Sequence, residues 1–186
     1  MNFLFASILF LSTLFGNGLT DAQVDARVAS YPKFTSATEL SNRIKSDFST
    51  DQNRARATFT YLATRVTYDL AEARNGSRIA YRFSSEADRI KKEFEFREKL
   101  VKKTLTSQKA VCEGYASVFV EVCRQMGIEA VIVPGTSRTH PSQIGKLPTW
   151  QDHAWNAVKI GGKWHLIDVT WAAGSIDTRS GKFKKE

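Results

Sequence analysis

The sequence predicts an α+β domain in which helices come first and antiparallel strands follow. Three observations carry that expectation. Apolar residues recur at helical spacing through most of the chain up to Met126, as they do in helices with one buried face. Beyond Gly127 the pattern changes to short runs rich in strand formers, and Gly161-Gly162 between two of them signals a tight hairpin. The 186 residues are 42% apolar, with 12 Phe and 4 Trp, which suits one hydrophobic core and excludes a globally disordered chain.

Taken in order, the chain opens with an apolar run from Phe3 to Phe15 that is too short to span a bilayer. Thr20-Asp21-Ala22 then places small side chains where a signal peptidase reads. Residues 1–22 therefore read as a secretory signal peptide and residues 23–186 as the mature domain, extracellular or periplasmic, with no transmembrane segment once the leader is removed. Residues 23–35 read as an extended lead-in. "SATELSNRIKSDF" opens with the capping box Ser36-x-x-Glu39 and carries Leu40, Ile44 and Phe48 four apart, a short helix. "TDQNRARATFTYLATRV" starts on Thr50 or Asp51 as cap and puts Ala55, Phe59, Leu62 and Val66 on one face, a second helix with "TYDL" as its extended exit. Residues 72–86, with Asn75-Gly76, read as a loop, and a charged helix follows from about Ser85 to Thr106. From Cys112 to Met126 a helix is expected, ended by Gly127 in the left-handed conformation with Ile128 folding back. "IEAVIVPG" is a strand, and residues 136–152 form a loop long enough to suggest a lid. "HAWNAVKIGGKWHLIDVTW" is a two-stranded hairpin, and the tail after it reads as loose.

The formal charge is +8; a leader of residues 1–22 takes Asp21 and no basic residue with it, leaving +9. Such a surface attracts polyanions. Zinc-finger, RNP-like and basic-aromatic patterns are missing, so specific nucleic-acid readout is not expected. Much of the charge lies in "DRIKKEFEFREKLVKKT", where both signs alternate with Ile90, Phe94, Val101 and Leu105, the pattern of a solvated helix face.

The chain has two cysteines, Cys112 and Cys123. On a helix they lie on one face but about 16 Å apart along the axis. A disulfide needs Cα atoms roughly 4.4–6.8 Å apart, so they cannot pair with each other, and at that separation they cannot share a metal. Cys123, among Phe119, Val120 and Met126, reads as a small buried hydrophobe. Cys112 stands where a helix begins. Unpaired N–H groups and the positive end of the helix dipole there favour a thiolate, and the same groups can hold an oxyanion. Whether it reacts depends on a base within reach.

A two-residue turn at Gly161-Gly162 supplies one. Ile160 then faces Lys163, and His153 and Asp168 become diagonal neighbours on one face of the hairpin, about 7–8 Å apart at the backbone. A carboxylate beside an imidazole fixes its tautomer and stabilises the imidazolium, and a Cys–His pair so oriented can run acyl transfer. His165, on the opposite face, and His140, in the long loop, are weaker candidates.

"AVCEGYASVFVEVCRQMGIEAVIVPG" followed by "HAWNAVKIGGKWHLIDVTWAAG" resembles the transglutaminase-like superfamily, and within it the group of kyphoscoliosis peptidase and the cytokinesis protein 3 type. "NRARATFTYLATRVTYDL" is similar to that family's lead-in helix and its following Tyr-Asp. The resemblance implies a papain-like core, with the nucleophile at the start of a helix packed on an antiparallel sheet. It assigns Cys112 as nucleophile, His153 as general base and acid, and Asp168 as orienter, with the Cys112 backbone N–H in the oxyanion hole. Tyr115, Trp155 and Trp171 match aromatic positions, for packing the site first and contacting substrate second. Residues 73–107 and 136–152 have no counterpart, and relatives continue past "TWAAG" where this chain stops at Glu186, as a fragment would. The expectation is a secreted cysteine-dependent enzyme acting on protein or peptide amides as peptidase, deamidase or cross-linker, without cofactor or metal. Its rival is a non-catalytic interaction domain with the same fold, held to a polyanionic surface by its charge.

Overall fold

The computed structural model describes residues 19–75, 82–137, 141–147, 150–177 and 179–185. Most of the expected leader, part of the 72–86 loop and His140 lie outside them. The first helix, α1 (Asp21–Ala29), starts from a full capping box: the Thr20 hydroxyl accepts the Gln23 N–H, and the Thr20 N–H donates to the Gln23 side chain at 2.9 Å. The expected extended lead-in is therefore partly helical. Val24 and Val28, four apart and both fully buried, were the signal, masked by the polar residues around them. A leader ending at Ala22 would carry away the Thr20 cap and also Asp21, which stands 3.6 Å from Arg56.

Helix α2 (Ala37–Asp47) is capped by Ser36, whose hydroxyl accepts the Glu39 N–H. The Glu39 carboxylate accepts the N–H of Thr35 at 3.2 Å, one residue before the cap, and the Ser36 backbone acts on it more weakly. Helix α3 (Asp51–Arg65) is capped by Thr50 as expected. The exit strand β1 is only Thr67–Tyr68, because the Asp69 carboxylate accepts the Glu72 N–H at 2.9 Å and starts another helix, α4 (Leu70–Asn75), where a loop was expected. The long charged helix α5 (Glu86–Ser107) buries only its last turns, at Leu100, Val101, Thr104 and Leu105. Ile90 and Phe94, the first half of its apolar stripe, are both 56% exposed.

After β2 (Lys109–Ala110), the helix α6 (Cys112–Gln125) forms the spine of the molecule. Gly127, at φ 77°, ends it, and the Ile128 N–H returns to the Cys123 carbonyl at 2.9 Å. Strands β3 (Ala130–Gly135), β4 (His153–Ile160) and β5 (Lys163–Ile167) form one antiparallel sheet in that order. Helix α6 packs on β3 and β4. Its Val118, Phe119, Val122 and Cys123 join Leu40, Ile44, Leu62 and Leu105 in one core. Both turn glycines have positive φ, 57° and 78°, as a two-residue hairpin requires, and Ile160 pairs with Lys163 in the predicted register. The second hairpin strand is shorter than expected: Asp168 caps a one-turn helix, α7 (Val169–Ala172). The tail is also more ordered than expected, since β6 (Gly174–Ile176) pairs with β7 (Phe183–Lys185), whose Phe183 ring packs 6.0 Å from that of Tyr68.

Asn156 ties the sheet to the spine. It is 1% exposed, and its side-chain amide donates to the carbonyls of Ala116 (3.1 Å) and Val131 (3.3 Å). Asn156→Ala leaves both groups short of a partner and is expected to cost about 1–3 kcal/mol, read as a lower urea midpoint with an unchanged slope.

Candidate active site

The segment before Cys112 is clamped from two sides. Strands β1 and β2 pair in parallel, Tyr68 opposite Ala110, and the Asp69 N–H donates to the Ala110 carbonyl at 2.9 Å. Gly114, in the first turn of α6, lets that turn lie directly on its supports. A Cβ there would stand 2.6 Å from the Ala110 Cβ and 2.7 Å from the Thr104 hydroxyl. The fully buried Tyr115 donates its hydroxyl to the Val66 carbonyl at 2.9 Å. Of the two roles the sequence allowed Tyr115, packing is the one this burial supports; its ring is not available to a substrate. Val111 caps α6 without a side-chain hydrogen bond, and among the described residues the N–H groups of Cys112 and Glu113 have no acceptor.

His153 is the first residue of β4, paired with Gly135. Its Nε2 lies 2.7 Å from Oδ2 of Asp168. The other carboxylate oxygen of Asp168 accepts the Trp171 N–H at 3.1 Å, so one side chain both orients the imidazole and starts α7. The predicted neighbours meet, although Asp168 reaches His153 from a helix cap and not from a strand. Trp155 and Trp171 flank the imidazole at ring distances of 5.7 and 6.1 Å, Trp171 being 55% exposed. Trp155 lies across Gly135, where a Cβ would fall 2.2 Å from the indole. The Cys112 thiol acts on the same imidazole. Asp168 first and Cys112 second push the imidazole up to about 9, against the opposing effect of burial. His153 and Asp168 are thus in direct contact, and Cys112 is near enough to raise the same imidazole.

The other candidates do not join them. Cys123 is buried, and burial pushes its thiol up to about 12. His165 is exposed on β5. Three further acidic groups around the start of α6, Tyr68, Glu113 and Glu72, receive no role in the site from the sequence. The Tyr68 hydroxyl is pushed up by burial and then by the charges of Cys112 and Glu72. Burial raises the Glu113 carboxyl against the pull of Arg97. Glu72 takes Lys103 at 2.6 Å on one oxygen while the other is buried without a partner. Glu113 could have been noticed beside Cys112; Glu72 lies in what was read as a loop. Among the described residues no cluster of three or more His, Cys, Asp or Glu is placed to hold a metal, and no helix is long and apolar enough to cross a membrane.

With this geometry in place, comparison with known proteins is decisive. The family model of the transglutaminase-like superfamily matches residues 38–169, from α2 to the start of α7. The chain belongs to the transglutaminase-like superfamily. Human kyphoscoliosis peptidase is 34% identical over 146 residues, covering 78% of this chain and 19% of the relative. The mouse kyphoscoliosis peptidase is 31% identical over 162 residues, covering 87% and 22%. The chain thus spans about a fifth of the length of these relatives. A solved TGase structure overlays with a TM-score of 0.49 at 19% identity, covering 94% of this chain and 38% of that one. The transglutaminase-like match includes Cys112, His153 and Asp168 and stops before Trp171.

Proposed function

We propose that this chain is a secreted cysteine-dependent acyltransferase or peptidase acting on protein or peptide amides. The observation that carries the reading is the 2.7 Å contact of His153 with Asp168, on an imidazole that the Cys112 thiol at the start of α6 also raises. The Cys112 thiolate attacks the amide carbonyl, and the oxyanion forms against the unpaired N–H at the start of α6. The His153 imidazolium gives its proton to the leaving nitrogen, the C–N bond breaks, and a thioester remains on Cys112. Water or a lysine amine then attacks the thioester, His153 takes the proton released, and the acyl group departs as an acid or a new amide while the thiol is restored. Trp155 and Trp171 beside the imidazole would contact the acyl donor. The net positive charge would hold the secreted domain at polyanionic surfaces.

Incubation with a casein-like protein mixture and a labelled primary amine separates the reactions. Shortened chains report peptidase action, released ammonia without label reports deamidation, and label in the substrate reports cross-linking chemistry. If none exceeds the level of a Cys112→Ala control, the reading is wrong. Iodoacetamide provides an independent check. Cys112 is part-exposed beside an imidazole and Cys123 is buried with its thiol pushed up to about 12, so Cys112 should alkylate at least tenfold faster near neutral pH (order-of-magnitude estimate). Equal labelling rates would count against a reactive Cys112.

A further inference from the structure

A cavity of about 540 Å³ lies between α2, α5 and α6, in the size range of small-ligand sites. It is separate from the catalytic cleft. Ser117, in its wall, is five residues beyond Cys112, about 7.5 Å along the helix and about 140° around it. Val101, Val120 and Ile132 give it apolar walls, and the exposed Phe94 stands at its edge.

Polar groups in the cavity lack partners. Ala37 and Thr38, the first two residues of α2, both line it, and among the described residues neither backbone N–H has an acceptor. The Ser117 hydroxyl is buried without a hydrogen bond, in a residue 3% exposed. Charge in the lining is unbalanced as well. Arg124 is matched by Glu121 at 2.7 Å, but Arg97, Lys99 and Lys102 make no ion pair among the described residues; Arg97 is drawn towards Glu113, and Glu98 is the further carboxylate in the lining. Two free N–H donors, an unpaired hydroxyl and surplus positive charge call for an anionic head; the apolar walls call for a hydrocarbon body.

We infer that this cavity binds a free single-chain carboxylate, with its head at the N-terminus of α2 and its alkyl chain along Val101, Val120 and Ile132. The site stands whether or not Cys112 is catalytic. Calorimetric titration of the whole chain with decanoate, decanol and inorganic phosphate tests it. Decanoate is expected to saturate at one per chain, decanol to bind about tenfold more weakly, and phosphate alone not to saturate. Val120→Trp fills the cavity and should abolish decanoate binding while leaving the Cys112 alkylation rate unchanged. The exposed double variant Lys99→Glu/Lys102→Glu, which keeps the core intact, should weaken binding about fivefold or more. Decanol binding as tightly as decanoate, phosphate saturating equally well, retention of binding in either folded variant, or no decanoate binding to the wild type would each overturn the proposal.

Discussion

Cys112→Ala is expected to remove amide turnover by a factor of about 10⁴ or more while leaving the fold intact. The loss is large because in the proposed reaction the thiolate forms the bond, and Cys123, buried in the core on the same helix, cannot replace it. The fold should survive because the helix start is held by groups other than the thiol. The Tyr115 hydroxyl remains on the Val66 carbonyl, the first turn still lies on Ala110, and Asn156 still bonds Ala116. Far-UV circular dichroism should therefore match the wild type, and the unfolding free energy from urea titration should agree to within about 1 kcal/mol. The imidazole should also respond. The Cys112 contact is the second of the influences raising His153, so its titration should move down in the variant while staying above the ordinary value through Asp168. Turnover that survives with the fold unchanged would remove Cys112 from the reaction.

How far the sequence disclosed this site depended on the kind of signal each residue carried. The Gly161-Gly162 turn is local and constrains the backbone directly, so the register that brings His153 towards Asp168 was legible. The Cys112 helix was equally clear, because its apolar spacing and its Gly127-Ile128 stop both lie within one segment. The ending of β5 at Ile167 was not legible: Val169 and Thr170 favour strands by their side chains, and only the capping of the Trp171 N–H by Asp168 turns them into a helix. For α1, two valines in a polar segment gave too weak a periodicity. For α5 the periodicity was strong and gave the helix, but it shows that a face is apolar and not what covers it, so where burial begins along the stripe was not legible. Asn156 looked like any polar residue in a strand; its meaning depends on the Ala116 and Val131 carbonyls, distant in sequence. The cavity between α2, α5 and α6 is likewise a product of packing between distant segments.

Asp168→Asn should separate the two tasks of that side chain. Asparagine is as good a helix cap as aspartate, so α7 and its bond to the Trp171 N–H should persist; its one oxygen then stays on that N–H, and its amide NH2, a donor, faces Nε2 of His153 in place of the second carboxylate oxygen. What disappears is the negative charge. The Asp168 hydrogen bond is the largest influence holding the imidazole up at about 9 from its ordinary 6.5, so wild-type activity is expected to decline as pH rises through about 9, where the imidazolium is lost. In the variant that alkaline limb should move down towards 6.5, and turnover at neutral pH should fall about a hundredfold or more. Stability should change in the same window. A histidine raised in the folded state adds stability in full below its unfolded value of 6.5, and that increment is lost as pH climbs to about 9. Wild-type urea midpoints should accordingly fall between those values, and those of Asp168→Asn should fall much less. Asp168→Ala loses the cap as well and should be less stable than Asp168→Asn by about 1 kcal/mol at every pH. If the alkaline limb stays near 9 in Asp168→Asn, the aspartate is a helix cap that happens to touch a histidine, and the imidazole must be held charged by some other group.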